Sequence, residues 1–88
     1  MRFTLRQLEY LVAIAEEGDL RQAAARCRIT QATLNAQLAK MERTLGLSLF
    51  DRNGQPVRPT PVCRRALPQA RRALEAAERF ADAVHEDR

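Results

Sequence analysis

TQATLNAQLAKMERTLG, residues 30–46, opens on a residue that caps helices and closes on one that stops them. Thr30 is a favoured N-cap, and Gly46 is well placed as a C-terminal stop. Between them Leu34, Leu38, Met41 and Leu45 recur four, three and four apart, which predicts one inward-facing row on a helix. Gln31, Ala32, Asn35 and Ala36 fall about opposite that row. Such a face carries neither the charge usual toward water nor the bulk usual toward a core. Amide side chains pair bidentately with adenine, and small apolar ones touch the thymine methyl. The face therefore suits base edges in a DNA groove. A plain polar surface on a helix is the alternative, because helix-turn-helix patterns have false positives.

Upstream, Thr4 begins a capping box with Gln7 three residues on. Leu5, Leu8, Leu11, Val12 and Ala15 follow at helical spacing, and Gly18 stops this first helix. Asp19 caps a second, short helix whose buried stripe is Leu20, Ala23, Ala24 and Cys27. Arg28 and Ile29 make a tight link to Thr30. Downstream, LSLFDRNGQPVRP (residues 47–59) changes period. Leu47, Leu49 and Val57 are apolar, and Asn53-Gly54 signals a tight turn, so a hairpin of two or three residues per strand is expected. Thr60-Pro61 then reads as cap plus first helical residue. An alanine- and arginine-rich helix runs to about residue 86, nearly 40 Å long at ~1.5 Å per residue. Pro68 is expected to bend it or loosen one hydrogen bond.

The order is helix, short helix, tight turn, helix, hairpin, long helix. It predicts a mainly α fold: a winged helix-turn-helix, with a three-helix core and a small β-hairpin wing, over residues 1–60. A long C-terminal linker and dimerisation helix occupies residues 61–88. In a winged helix-turn-helix the third helix keeps one face on the core and lays the other in the DNA major groove. On the long helix Leu67, Ala70, Leu74, Ala77, Ala81 and Val84 form a heptad-like seam for a partner helix. Its first turns have the alternative of packing back on the three-helix core. A membrane-surface helix is disfavoured because Glu75, Glu78, Arg71 and Arg79 mix signs on the polar face.

Composition narrows the function classes. The 88 residues make one domain, and the net charge of +4 suggests an anionic partner. Residues 1–60 carry nine Lys or Arg against six Asp or Glu, whereas residues 61–88 carry six against five, so the excess sits in the groove-binding part. Arg28, Lys40, Arg43, Arg52 and Arg58 can flank the third helix and the wing, where phosphate contacts supply salt-sensitive affinity. A solvated surface role is the alternative for each. No run approaches ~20 apolar residues, and MRFTLRQL lacks a signal-peptide core, so a cytoplasmic chain without a membrane partner is expected. Cys27 and Cys63 lack metal spacing and read as reduced apolar fillers. Cys63 adjoins Arg64 and Arg65 near a helix start, an arrangement that lowers a thiol pKa and raises the alternative of a redox switch. Catalysis lacks parts. His85 is the only histidine, Ser48 the only serine, and three glycines form no phosphate-cradling loop. Glu16 and Glu17 are adjacent and do not share a helix face. No enzyme, metal or cofactor is expected.

LRQLEYLVAIAEEGDLRQAA, TQATLNAQLAKMERTLGLSLFDR and PTPVCRRALPQARRAL, in this order, resemble the N-terminal DNA-binding domain of LysR-type transcriptional regulators. The resemblance implies sequence-specific binding of double-stranded promoter DNA and a homodimer paired antiparallel through the linker helix. It also implies a larger two-lobed C-terminal domain that would hold any small-molecule effector. Thr30 stands where the family has the serine capping the recognition helix, with its hydroxyl near a phosphate. Gln31 matches a DNA-contacting glutamine, and Asn35 falls on a base-reading position. Gln37 matches a residue expected to hold the DNA backbone. Arg52 matches the wing arginine, and Arg6 a polar position near the backbone. Ala32, Thr33, Ala36, Lys40 and Arg58 complete the expected DNA-binding set. Departures are Ala32 for the usual proline, Ala36 where arginine is frequent, Cys63 for glycine and Cys27 for leucine. Without arginine at 36 the commonest guanine contact is missing, so an operator containing A·T pairs is expected. The rival reading is a protein-interaction module that pairs through residues 67–84 with little specific DNA binding.

Overall fold

The computed structural model describes residues 2–86. Helix α1 spans Leu5–Glu17, α2 Leu20–Cys27 and α3 Gln31–Leu45. Strands β1 (Phe50–Asp51) and β2 (Arg58–Pro59) precede helix α4, Pro61–Glu86. The strands pair antiparallel, Phe50 opposite Pro59 and Asp51 opposite Arg58. The winged helix-turn-helix expected from the sequence is the fold observed.

Local chemistry sets the helix ends. Thr4 Oγ1 accepts from the Gln7 amide at 3.1 Å, while the Gln7 side chain accepts from the Thr4 amide at 3.0 Å. The capping box thus satisfies two backbone donors. Asp19 accepts from the Gln22 amide at 2.9 Å and starts α2. Gly18 and Gly46 end α1 and α3 in the left-handed region, at φ 66° and 70°. Gly18 has a second reason to lack a side chain, since a Cβ there would lie 2.8 Å from Pro56 Cβ. The Gly18 carbonyl also accepts from the Val57 amide at 2.8 Å, which joins the end of α1 to the wing.

One core gathers all the helices. Ile14 of α1, Ala23 and Cys27 of α2, and Leu34, Leu38 and Met41 of α3 are buried together with Leu49, Phe50 and Val57 of the wing. The inward row of α3 ends one turn earlier than its spacing predicts, for Leu45 is 43% exposed. Leu47 is exposed as well. The tight turn is also corrected. Six residues join strands of two residues each, and Gly54 is not at positive φ as a two-residue primed turn would require. Asp51 Oδ1 accepts from the Asn53 amide at 2.9 Å, and the buried Val57 draws the returning chain onto the core, so the loop is long because it carries an anchor.

Helix α4 begins at Pro61 and runs unbroken through Pro68. Thr60 does not cap it with its side chain. Its hydroxyl donates to the Ser48 carbonyl at 2.9 Å, with the Leu49 carbonyl 3.2 Å away, and so ties β2 to the approach of β1. The expected break at residue 60 is absent, because Cys63, Leu67 and Ala70 enter the same core and Leu74 packs against it. Leu67 and Ala70 are therefore internal to the protomer and not free for a partner, as the seam reading had them. Beyond Ala77 the helix leaves the body of the domain: Ala81 and Val84 are exposed, and Phe80, which the seam omitted, is 72% exposed.

Candidate nucleic-acid interface

The link between α2 and α3 sets the recognition helix at its angle. Arg28 is left-handed (φ 60°), its amide donates to the Ala25 carbonyl and the Ile29 amide to the Ala24 carbonyl, both at 3.1 Å. These are the two bonds of a Schellman ending, here without glycine. Thr30 follows at once as N-cap: its Oγ1 accepts from the Thr33 amide at 3.1 Å and donates to Thr33 Oγ1 at 2.9 Å. The Thr30 proton is thus committed, and the hydroxyl left to reach a phosphate is that of Thr33.

Leu34, Leu38 and Met41 bolt α3 to the core, and Gln31, Ala32, Thr33, Asn35 and Ala36 are exposed on its other side. The helix start, with its positive dipole end, lies on this outer surface and favours an anion. Gln31 and Arg52 meet in a notch of about 220 Å³ that Asp19, Arg21 and Gln55 also line. A residue of the third helix and one of the wing, 21 positions apart, therefore share a surface. Lys40 and Arg58 are exposed on α3 and β2.

Two expected contacts are placed differently. Arg6 Nη2 donates to the Cys27 carbonyl at 2.7 Å, its guanidinium lies 5.3 Å above the Tyr10 ring, and Nη1 is 3.4 Å from Glu9. It fastens α1 to the end of α2 and is not free for a DNA backbone. Gln37 is half-buried, and its Oε1 accepts from Nε2 of the buried Gln7 at 3.2 Å. Its first task is to tie α3 to α1, which leaves only its own amide group for DNA.

Glu42 was missed in the sequence. One of its oxygens accepts from the Leu49 amide at 2.7 Å, and the other is 2.8 Å from Arg52 Nη2. A single carboxylate on α3 thus holds both the entry to the wing and the wing arginine. Its partners follow by seven and ten residues, across the turn at Gly46, so no helical period announces it. The redox reading of Cys63 is overturned. The thiol is 1% exposed, and burial, with the Glu42 charge second, pushes its pKa up to about 11. A thiol so protonated is a poor nucleophile. No group of three or more His, Cys, Asp or Glu able to hold a metal occurs among the described residues, and no described helix is long and apolar enough to cross a membrane.

The model of bacterial regulatory helix-turn-helix proteins of the lysR family matches residues 5–64. The chain belongs to the LysR family. Among curated relatives, the small neutral protease regulatory protein of Streptomyces coelicolor is 43% identical over 70 residues, covering 80% of this chain and 21% of that protein. The chain spans about a fifth of the length of the curated relatives it matches. Solved LysR-family structures superpose closely. An OxyR C206 mutant of Corynebacterium glutamicum gives a TM-score of 0.92 at 36% identity, covering 98% of this chain and 28% of that one. The complex of the BenM DNA-binding domain with benA site 1 DNA gives 0.89 at 30% identity, covering 96% and 94%.

Proposed function

We propose that this LysR-family chain is a transcriptional regulator that binds double-stranded DNA by sequence, as a homodimer, and catalyses no reaction. The observation that carries the reading is the outer face of α3. It is uncharged, exposed and rich in amides, and it stands directly behind a buried row of Leu34, Leu38 and Met41. Gln31 and Asn35 read base edges, Ala32 and Ala36 lie against thymine methyls, and Thr33, Lys40, Arg52 and Arg58 hold phosphates. Two copies paired through the outer half of α4 set two recognition helices about 34 Å apart, or a multiple of that, on a partly palindromic site. The DNA complex of the BenM domain, which this chain matches over nearly its whole length, supports the choice of partner.

The test is a titration of random and operator-like duplexes at several salt concentrations. Gln31→Ala and Asn35→Ala are expected to cost ~1–3 kcal/mol at particular base pairs and little elsewhere. Arg52→Ala is expected to weaken every sequence alike and to flatten the salt slope. Equal, purely salt-driven binding to all duplexes would sink the reading and favour an interaction module.

A further inference from the structure

We infer that Phe80 of one copy seats in an apolar groove of a second copy, formed where α4 crosses α1 and α3. The inference rests on the α4 pairing proposed above and adds to it the contact that sets the register.

The groove is open, with a volume of about 360 Å³. Leu8 and Leu11 of α1, Met41 and Leu45 of α3, and Ala66 and Ala70 of α4 line it, and Gln69 is the one polar residue in its wall. Leu45, turned away from the core at its own end of α3, borders this space. A single exposed leucine is ordinary, but a concavity with an almost wholly apolar lining marks a binding surface.

The outer half of α4 presents the matching part. Phe80 is 72% and Val84 50% exposed. Glu75, Glu78, Arg79 and Asp82 fall within an arc of about 100° on the helix, and the opposite arc holds Phe80, Val84 and alanines. Ala66, Ala70 and Ala73 wall the groove, and Ala77, Phe80 and Val84 prolong the same stripe past the body of the domain. Phe80 lies seven residues beyond Ala73, ~10 Å farther along an unbroken helix, so it cannot fold back into its own groove.

A second copy fits by symmetry. Two antiparallel α4 helices crossing between Ala73 and Ala77, the middle of the helix, carry each Phe80 to the Ala66–Ala70 stretch of the other. The large ring then meets small side chains at the groove mouth, and the alanines at the crossing allow close backbones. A parallel pairing would set Phe80 against Phe80 and leave both grooves empty. The two-fold axis makes the contact twice. Each phenylalanine brings roughly 150–250 Å² toward the ~1,600 Å² of a standard interface, and the alanine stripe adds to it. Because Met41 and Leu45 belong to α3, a seated Phe80 also braces the partner's recognition helix from behind, which fixes the half-site spacing that the dimer can read.

Sedimentation equilibrium of the 88-residue chain tests this. Phe80→Ala is expected to weaken the dimer by about 30-fold or more, in the range of an aromatic interface anchor. Leu45→Ala, on the other side of the contact, is expected to weaken it too. The double variant should then be no worse than the weaker single one, since both remove the same contact. Phe80 and Leu45 are exposed, so thermal melts of the monomers are expected to stay near that of the parent. A parent chain that sediments as a monomer at high concentration would overturn the pairing and the groove together. A parent dimer that Ala77→Glu disrupts, but that Phe80→Ala leaves intact or in which the two alanine effects add, would overturn the groove alone.

Discussion

Helices α3 and α4 each turn one side to the core, yet the sides they turn away differ in chemistry. The outer face of α3 offers amides, a hydroxyl and small methyls; the outer half of α4 offers a phenylalanine and a valine among alanines. Hydrogen-bonding groups in water exchange partners at little net cost, so the α3 face suits a ligand that comes and goes. Apolar surface in water is unfavourable whenever it is uncovered, so the α4 face suits a partner that stays. The two faces thus separate reading from assembly, and the core between them holds the reader at a set distance from the assembler.

The sharpest way to break this contrast is to strip one side chain from each helix. Leu34 is 0% exposed, and Leu34→Ala is expected to cost about 3 kcal/mol or more through lost transfer energy and the cavity left behind. In a domain this small such a loss takes much of the stability, and DNA binding would go with the fold. Val84→Ala, at dilutions where the chain is monomeric, is expected to stay within about 0.5 kcal/mol. Urea denaturation of the two variants measures both. A comparable loss at Val84 would mean that the end of α4 packs on its own domain, and the contrast would fail.

The same contrast shows what was legible before the structure. Caps and stops at Thr4, Asp19, Gly18, Thr30 and Gly46 were readable because each acts on backbone within a few residues of itself. The uncharged face of α3 was readable for the same reason, as helical period alone groups it. Contacts made across the fold were not. The Gln7–Gln37 bond spans thirty positions, Arg6 reaches the Cys27 carbonyl, and Glu42 serves residues beyond the turn at Gly46. Cys63 misled because Arg64 and Arg65 adjoin it in the chain, whereas consecutive helical residues point different ways: both arginines are exposed and the thiol is in the core. Leu67 and Ala70 misled because a seam for a partner helix and a seam for one's own core share one period.

The outer face of α3 can be sharpened directly. Ala36→Arg places a guanidinium among the amides at an exposed position of a helix, where arginine propensity is good. Stability is expected to change by less than about 0.5 kcal/mol. Binding to duplexes carrying guanine under position 36 is expected to gain ~1–3 kcal/mol over the same duplexes with adenine there. A panel of duplexes substituted one base pair at a time reads this. Equal gains on every duplex would show that residue 36 faces phosphate and would turn the helix in its groove away from the docking described above.

The smallest expected effect compares the helix starts themselves. Thr30 and Thr60 each precede a helix, but Thr30 Oγ1 accepts from the Thr33 amide while Thr60 Oγ1 donates to the Ser48 carbonyl. An ionised aspartate accepts and never donates, so substitution separates the two roles. Thr30→Asp keeps a favoured N-cap and adds a charge suited to the helix dipole, so thermal stability is expected to hold or rise by a few tenths of a kcal/mol. Thr60→Asp removes the donor and sets a carboxylate against the Ser48 and Leu49 carbonyls, for an expected loss of about 1 kcal/mol. DNA binding inverts the order. A carboxylate at residue 30 repels phosphates at the start of α3, so the better folded variant is expected to be the poorer binder. Matching shifts of stability at both threonines would show that Thr60 caps α4 after all and that the wing is held by other bonds.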